Sequence, residues 1–558
     1  MASVVTDPPG HHRGRCRGAQ DRAQRAQRGR AGARSATDVK VYEFIPTVER
    51  GLGGSSAAHV GNTAAMTRGV VAAGHLLTAE AGASALRAGG NAVDAALAAM
   101  CASFVCEPLL TGLGAGGYML VGAPGGDDLL LDFFVDAPGR GGAPPRRAEL
   151  VPVSIVFGDV VQVFHVGAAS VGTYGCPAGI CAAHARFASL PLAQLVAPAV
   201  RLARDGVVLN AHQTYLLELL SPIIASSPEA RALFATAPPR EGEVVRLPDV
   251  ADGLERLAIQ GAAPFYTGEV ATAVCDWVGE RGGMLSPADL AAYEVVAREP
   301  IDIAYRGLRV QTNPPPSAGG ILIAAVLAEL DCEPVPPSRE RLVAAMIDAQ
   351  RARTAAFMDS LHLTGVHLRG FQEEFLGARR GNTTHISAID EDGWACTTTV
   401  SNGSCSGVVV PGTGLHLNNM LGEADLNPSG FHWHPAGRRL PSMMAPTLVR
   451  RADGAVELAL GSAGSNRIRS AILQVISNVV DRGMGLAEAV QAPRLHWEDG
   501  VLYVEPGAEP TNLEEIVIAR FNGPNVFFGG CQAVRRDPDS GQMVGAGDPR
   551  RGGAVIAV

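Results

Sequence analysis

Charge is scarce in this sequence: only 18% of its 558 residues are Asp, Glu, Lys or Arg. It also lacks the run of about 20 apolar residues that a membrane-spanning helix needs. The nearest candidate, Ala92–Val105, is short and carries Asp94. The ten Cys form no CxxC pair and show no metal-ligand spacing. Cys101, Cys106 and Cys275 sit in apolar surroundings, so the set reads as reduced core residues and not as a disulfide framework. Gly and Pro together (67 plus 37) stay below the roughly 25–30% that marks low complexity, and there is no internal repeat. These absences exclude membrane-spanning, collagen-like, coiled-coil and disordered chains. What is left is a soluble body with a sizeable core, by length about three to four domains or one large layered α/β unit.

The net charge of −9 is unevenly spread. Residues 1–40 hold eight Arg and one Lys against Asp7, Asp21 and Asp38, a local +6, so the remainder carries −15 (−9 minus 6). An acidic body argues against a nucleic-acid enzyme, whose binding face is normally basic. The stretch Arg13–Arg34 reads as a solvated arm, as a start codon assigned too far upstream, or as a basic targeting or nucleic-acid segment. It has no apolar core of a secretory signal, so a cytoplasmic location is expected.

Order is expected from near Val70. Thr78–Ala88 and Asn91–Val105 read as helices split by Gly89-Gly90, with Asn91 and Asp94 placed as N-cap and first-turn acid. Leu129–Phe134 reads as a strand and residues 195–300 as mostly helical. Pro314-Pro315-Pro316 reads as a rigid turn into the helix Ile321–Leu330. From Thr383 the period changes to two. His385–Asp390, Ala395–Ser401 and Gly407–Val410 are β-rich, separated by the hairpin signals Asp392-Gly393 and Asn402-Gly403. A hairpin over Leu448–Leu460, a helix over Arg467–Asp481 and strands at Val501–Glu505 and Ala554–Val558 complete a pattern of stacked sheets flanked by helices.

Some motifs carry little. Gly112, Gly114 and Gly117 match GxGxxG, but a helix precedes them and the strand-like Tyr118–Val121 follows. That order is the reverse of a dinucleotide site, so they read as a tight turn for close backbone packing. The sequons at Asn382 and Asn402 are accidental without a secretory signal. His432, Trp433 and His434 lack an acidic or thiol partner and read as loop surface, so no metal or cofactor is expected.

The informative stretch is Thr383-Thr-His385, because of its company. Leu86-Arg-Ala-Gly-Gly-Asn-Ala-Val-Asp-Ala95, Gly112-Leu-Gly-Ala-Gly-Gly-Tyr-Met-Leu120, Phe265-Tyr-Thr-Gly268, Tyr305-Arg-Gly307 and Pro314-Pro-Pro-Ser-Ala-Gly-Gly320 precede it. Leu417-Asn-Asn419, Met444-Ala-Pro-Thr447, Gly461-Ser-Ala-Gly-Ser465 and Ala492-Pro-Arg494 follow. In these blocks, and in their order, the chain from about residue 68 resembles the γ-glutamyltransferase family of N-terminal-nucleophile hydrolases.

The resemblance implies a four-layer αββα sandwich made as an inactive precursor that cuts its own Asn382–Thr383 bond. Residues 68–382 and 383–558 would be the large and small subunit segments of one domain, with 1–67 a tail and linker. A Thr hydroxyl is a weak nucleophile that needs a nearby base. Once Thr383 begins a chain, its own α-amine is that base, with an unperturbed pKa of about 7.7–8.0. Ser401 takes the place of the family's supporting hydroxyl, eighteen positions on. Gly464 and Ser465 take the place of its oxyanion turn, where Ser replaces the second Gly and keeps a backbone donor provided its φ is not positive. An acyl-Thr intermediate then passes its acyl group to water or an amine, as in glutathione metabolism. The implied partners are a small-molecule acyl donor and acceptor, with no nucleic acid or membrane.

Substrate handles depart from the family. Its Arg for the substrate α-carboxylate becomes Phe134, and the neighbouring acid becomes Val135. Its Asn becomes Gly403 (beside Asn402), its Gln becomes Met420, its Asp becomes Glu423, and its paired serines become Ser442 and Met443. Phe cannot replace a bidentate Arg–carboxylate contact. Two acyl classes stay open, γ-glutamyl through relocated contacts or a non-glutamyl amide or C–C substrate, as in relatives such as cephalosporin-type acylases. An unprocessed binding protein is the reading from outside enzymology. The segment from Pro316 to Thr383 is also short for the family, implying a more open site.

Overall fold

The computed structural model describes residues 67–558 except 143–147, 158–159, 235–238, 354–356, 358–359, 363–382, 425, 428–429, 513–515 and 538. The basic arm and Asn382 lie outside the described residues.

The period-two stretch folds into the middle of a sheet. Thr384–Asp390 and Ala395–Ser401 form an antiparallel hairpin through Asp392-Gly393, paired from Thr384↔Val400 to Ile389↔Ala395. The full order is Ala554–Ala557, Gly69–Ala73, Thr384–Asp390, Ala395–Ser401, Gly116–Gly122, Leu129–Phe133 and Val296–Arg298, every neighbour antiparallel. Both central strands are buried at every position, so layers must cover both faces.

On one face lie the helices Leu76–Arg87 and Ala92–Cys106. The second is buried along its whole length and is opened by a capping box between Asn91 and Asp94, the expected start signal. On the other face lies a second sheet, in the order Met543–Ala546, Gly530–Arg536, Val456–Ala463, Thr447–Arg450, Leu308–Thr312, Ile301–Tyr305. The helices Ala318–Leu330 and Arg467–Val480 cover its far side. The result is the αββα sandwich. Among the described residues no helix is long and apolar enough to cross a membrane.

A polar seam joins the sheets. The His385 ring lies so close to Gly461 that a β-carbon there would stand 2.2 Å from it. Its nitrogens bond Thr399 Oγ1 at 2.8 Å and Thr397 Oγ1 at 2.9 Å, and Thr397 donates onward to the Leu460 carbonyl.

Two expectations are corrected, and one strand was missed. Asn402-Gly403 is no hairpin turn: Ala395–Ser401 already has neighbours on both edges, and Val409–Val410 closes on Leu415–His416 instead. His434 is not loop surface but buried, its Nε2 2.8 Å from the Leu426 carbonyl. The inner strand Gly530–Arg536, next to the sheet edge, went unread because Gly530, Gln532, Arg535 and Arg536 obscure its apolar alternation. The GxGxxG reading holds: β-carbons on Gly114 and Gly117 would each stand 2.5 Å from a carbonyl oxygen, of His416 and Thr399. Among the described residues the cysteines are all free thiols, most of them buried.

Burial also sets the acid response. It lowers His75, His212, His362, His416 and His496 to about 4 and His385 to about 3. The unfolded chain protonates such rings near pH 6.5 while the folded chain does not, so their contribution to stability is lost as pH falls below 6.5. Glu107, raised by burial to about 7, and Asp136 and Asp390, raised to about 6, oppose this, since they favour the fold as pH drops from 7 toward 4. Six rings outweigh three carboxyls. Calorimetry is expected to show the melting midpoint falling by at least about 5 °C between pH 7 and pH 5.

Candidate active site

The hairpin register explains the eighteen-residue spacing. The paired numbers of the two strands run down to Thr384↔Val400, so one step further puts Thr383 across from Ser401. Cross-strand neighbours stand about 4.5–5.5 Å apart at Cβ, the separation at which two hydroxyls meet. Alternation decides which way they point. Ile386 and Ala388 face the helix-side core and His385 faces the second sheet, so Thr383 shares the His385 face.

One cavity gathers the site, lined by Phe134, Thr383, Ser401, Gly403, Met420, Glu423, Leu426, Ser442, Met443, Met444, Ser465 and Ile468. Each comes from the end of an element. Thr383 precedes its strand and Ser401 ends the next. Phe134 follows Leu129–Phe133, Met420 opens the short turn Met420–Gly422, and Ser465 joins Val456–Ala463 to Arg467–Val480. Free space is about 30 Å³, room for about two waters. A larger cavity, about 290 Å³, lies behind Gly112, Leu113 and His416 and takes none of the candidate residues.

Of the expected site residues, Asn402 and Gly464 do not line the pocket. Asn402 is buried behind it, its Nδ2 donating to the His416 carbonyl at 3.0 Å. Gly464 backs onto Gly529, where a β-carbon would stand 2.7 Å from its Cα. Ser465 has φ +63°, contrary to the condition set for it. An N–H is present whatever φ is, but an L-residue in this left-handed conformation costs about 1–2 kcal/mol. Ser465→Gly is expected to raise stability by about 1 kcal/mol with self-cleavage intact, read from denaturant midpoints.

Hydrogen bonds fix the polar groups. Ser401 Oγ accepts the Gly403 N–H at 2.9 Å, so the hydroxyl keeps a proton of its own to donate. Glu423 Oε1 accepts Ser404 N–H and Oγ–H, both at 3.2 Å. Ser442 Oγ accepts the Met444 N–H at 3.0 Å. Phe134 stacks on Tyr118, ring centres 5.4 Å apart. Its carbonyl accepts from Tyr293 at 2.7 Å and from Arg439.

Arg439 escaped sequence reasoning. It is the guanidinium nearest the Phe134 backbone, and it is committed to that carbonyl, to Tyr293 and to Asp136 at 3.0 Å. No cation stands among the described residues that line the pocket. Ser404, which holds Glu423, and Asn419, which holds Ser404 and packs on Gly403, were also missed, although Asn419 lies in the Leu417-Asn-Asn419 block. Among the described residues no group of three His, Cys, Asp or Glu is placed to hold a metal ion.

The profile of the family described as gamma-glutamyltranspeptidase matches residues 78–362 and 340–558. The chain is 31% identical over 529 residues to the Acylase ACY 1 proenzyme of Pseudomonas sp. strain SE83, covering 88% of this chain and 94% of that one. It is 30% identical over 544 residues to the glutathione hydrolase proenzyme of Escherichia coli K12, covering 87% and 90%. The crystal structure of cephalosporin acylase from Bacillus halodurans superposes with a TM-score of 0.73 at 26% identity, covering 94% of this chain and 99% of that one.

Proposed function

Because the chain belongs to the γ-glutamyltranspeptidase family, we propose that it is a self-cleaving threonine hydrolase or acyltransferase whose acyl pocket no longer grips a free α-carboxylate. The observation that carries this is the pocket itself: Thr383 opposite Ser401, beside one carboxylate and no cation among the described lining residues.

In the first step Thr383 Oγ attacks the carbonyl of residue 382 and the C–N bond breaks, so the α-amine is released as the ester forms, and water then hydrolyses that ester to leave residue 382 with a carboxylate. That amine then takes the Thr383 hydroxyl proton as Oγ attacks the substrate acyl carbon. Ser401 donates to Oγ and aligns it. The negative oxygen of the tetrahedral intermediate is received at the Gly464–Ser465 turn, where Ser465 lines the pocket and Gly464 stands behind it. The ammonium returns its proton to the departing amine, leaving an acyl-Thr ester for water or an amine acceptor. The proenzyme names of the relatives support a product of two subunits.

Acyl selectivity follows from charge. A γ-glutamyl group brings an ammonium, which suits Glu423, and a carboxylate, which meets Phe134, Met420 and Met443. Burying a carboxylate without a partner is costly. The pocket suits acyl chains that are apolar with an amine or other donor near Glu423. Processed enzyme is expected to turn over anilides of such acyl groups with at least about tenfold higher kcat/KM than γ-glutamyl anilide, near 1.4 kcal/mol. Phe134→Arg is expected to raise γ-glutamyl turnover. A wild-type enzyme that prefers the γ-glutamyl anilide overturns this reading.

A further inference from the structure

Behind the nucleophile lies a largely buried acid–base cluster with no part in the chemistry above, Glu107 on the helix side of the sheet and Arg551 against Gly464 and Gly530. Alternation turns Thr384 toward the helix layer, opposite to Thr383. There Thr384 Oγ1 donates to Glu107 Oε1 at 2.9 Å. Glu107 is the residue that ends the helix Ala92–Cys106. Its Oε2 is buried without a hydrogen-bond partner, and Oε1 leans on Gly74, where a β-carbon would stand 2.5 Å from it. From the other end of the chain comes Arg551, 5% exposed. Its Nη1 reaches the Thr383 carbonyl at 3.4 Å and its Nη2 lies 3.4 Å from the β-position of Gly464. Its aliphatic stem lies against Gly530. Arg551 is the main positive charge acting on Glu107, and Glu107 the main negative charge acting on Arg551. Both flank a cavity of about 30 Å³ that also takes His75 and His212.

A residue at a chain end frays unless it is tied down, and scission makes Thr383 such an end. Catalysis demands that a nucleophile be held to within about 0.5 Å. The pocket must stay open for substrate, so the grip has to come from outside it. We propose that Glu107 and Arg551 are positioning residues that clamp the Thr383–Thr384 peptide, Glu107 from the helix side through the Thr384 hydroxyl and Arg551 from beside Gly464 and Gly530 through the Thr383 carbonyl, and so aim the Thr383 hydroxyl in both self-cleavage and turnover. This rests on the reading of Thr383 as nucleophile.

The test uses the full chain, followed by intact mass for scission and by steady-state kinetics on a cleaved acyl anilide. Glu107→Ala and the isosteric Thr384→Val are each expected to slow scission and lower kcat about 10–100-fold, with KM within about twofold and the melting midpoint within a few degrees. The double variant is expected to be no worse than either alone, because both break one contact. Glu107→Gln, which keeps an oxygen for Thr384 Oγ1, restores most of the rate. Scission and kcat within twofold of wild type in Thr384→Val, or fully multiplying losses in the double variant, overturn the clamp. Should Glu107→Ala fail to fold, Thr384→Val alone decides between these outcomes. Failure of the nucleophile reading looks different: Thr383→Ala would still be cut.

Discussion

Thr383→Ala leaves the purified protein as one full-length chain, without measurable release from any acyl amide, whereas Thr383→Ser still divides into pieces of 382 and 176 residues (558 minus 382). The loss in turnover is expected to exceed about 10³-fold, because hydroxyl and base are both removed: without scission the nitrogen of residue 383 remains an amide and takes up no proton. The fold is expected to stand, since Thr383 precedes its strand and contributes no ladder pairing. Intact mass and circular dichroism on the same sample check both halves. A divided Thr383→Ala chain places the scission elsewhere and removes Thr383 from the mechanism.

Gly403→Asn gives the second large effect, and in a direction opposite to what family likeness suggests. The relatives' Asn at this position would seem a gain of a substrate contact. Here Gly403 sits at φ +67°, and a β-carbon on it would stand 2.0 Å from Asn419 Oδ1 and 2.8 Å from Glu423 Oε1. Asn419 cannot step aside: Oδ1 accepts the Ser404 N–H at 2.9 Å, and Nδ2 donates to Ser404 Oγ and the His165 carbonyl. Left-handed strain adds about 1 kcal/mol to the clash. The variant is expected to lose at least about 2 kcal/mol of stability. Its kcat/KM is expected to fall about 10²-fold or more on every acyl amide, as Ser401 loses the Gly403 N–H geometry and Glu423 is displaced. A Gly403→Asn enzyme that gains γ-glutamyl turnover contradicts this account.

These two residues show how much the sequence disclosed and where it stopped. Thr383, Ser401, Glu423, Ser442 and Phe134 were legible because family blocks fix their order, and the structure brings all five to one cavity. The strands were legible where alternation was clean, as at Ala395–Ser401, and lost where polar residues interrupted it, as at Gly530–Arg536. The left-handed backbone of Ser465 and the buried turn of Asn402 had no signature, since φ and side-chain direction depend on neighbours distant in sequence. Arg439 and Arg551 belong to the same class. Each is an ordinary arginine until the fold sets it against the Phe134 or Thr383 carbonyl.

The hairpin through Asp392-Gly393 has a mechanical meaning. From Thr383 to Asp390 is seven steps of about 3.4 Å, so the turn lies about 24 Å from the hydroxyl it governs. It acts as a ruler read at its far end. Adding or removing one residue there would slide the strands past each other and turn Ser401 to the opposite face. Two residues would restore the face and leave Thr383 opposite a different neighbour. Evolution can therefore alter the acyl pocket one side chain at a time, as Phe134, Gly403 and Met443 indicate, while the length of this distant turn stays closed to change.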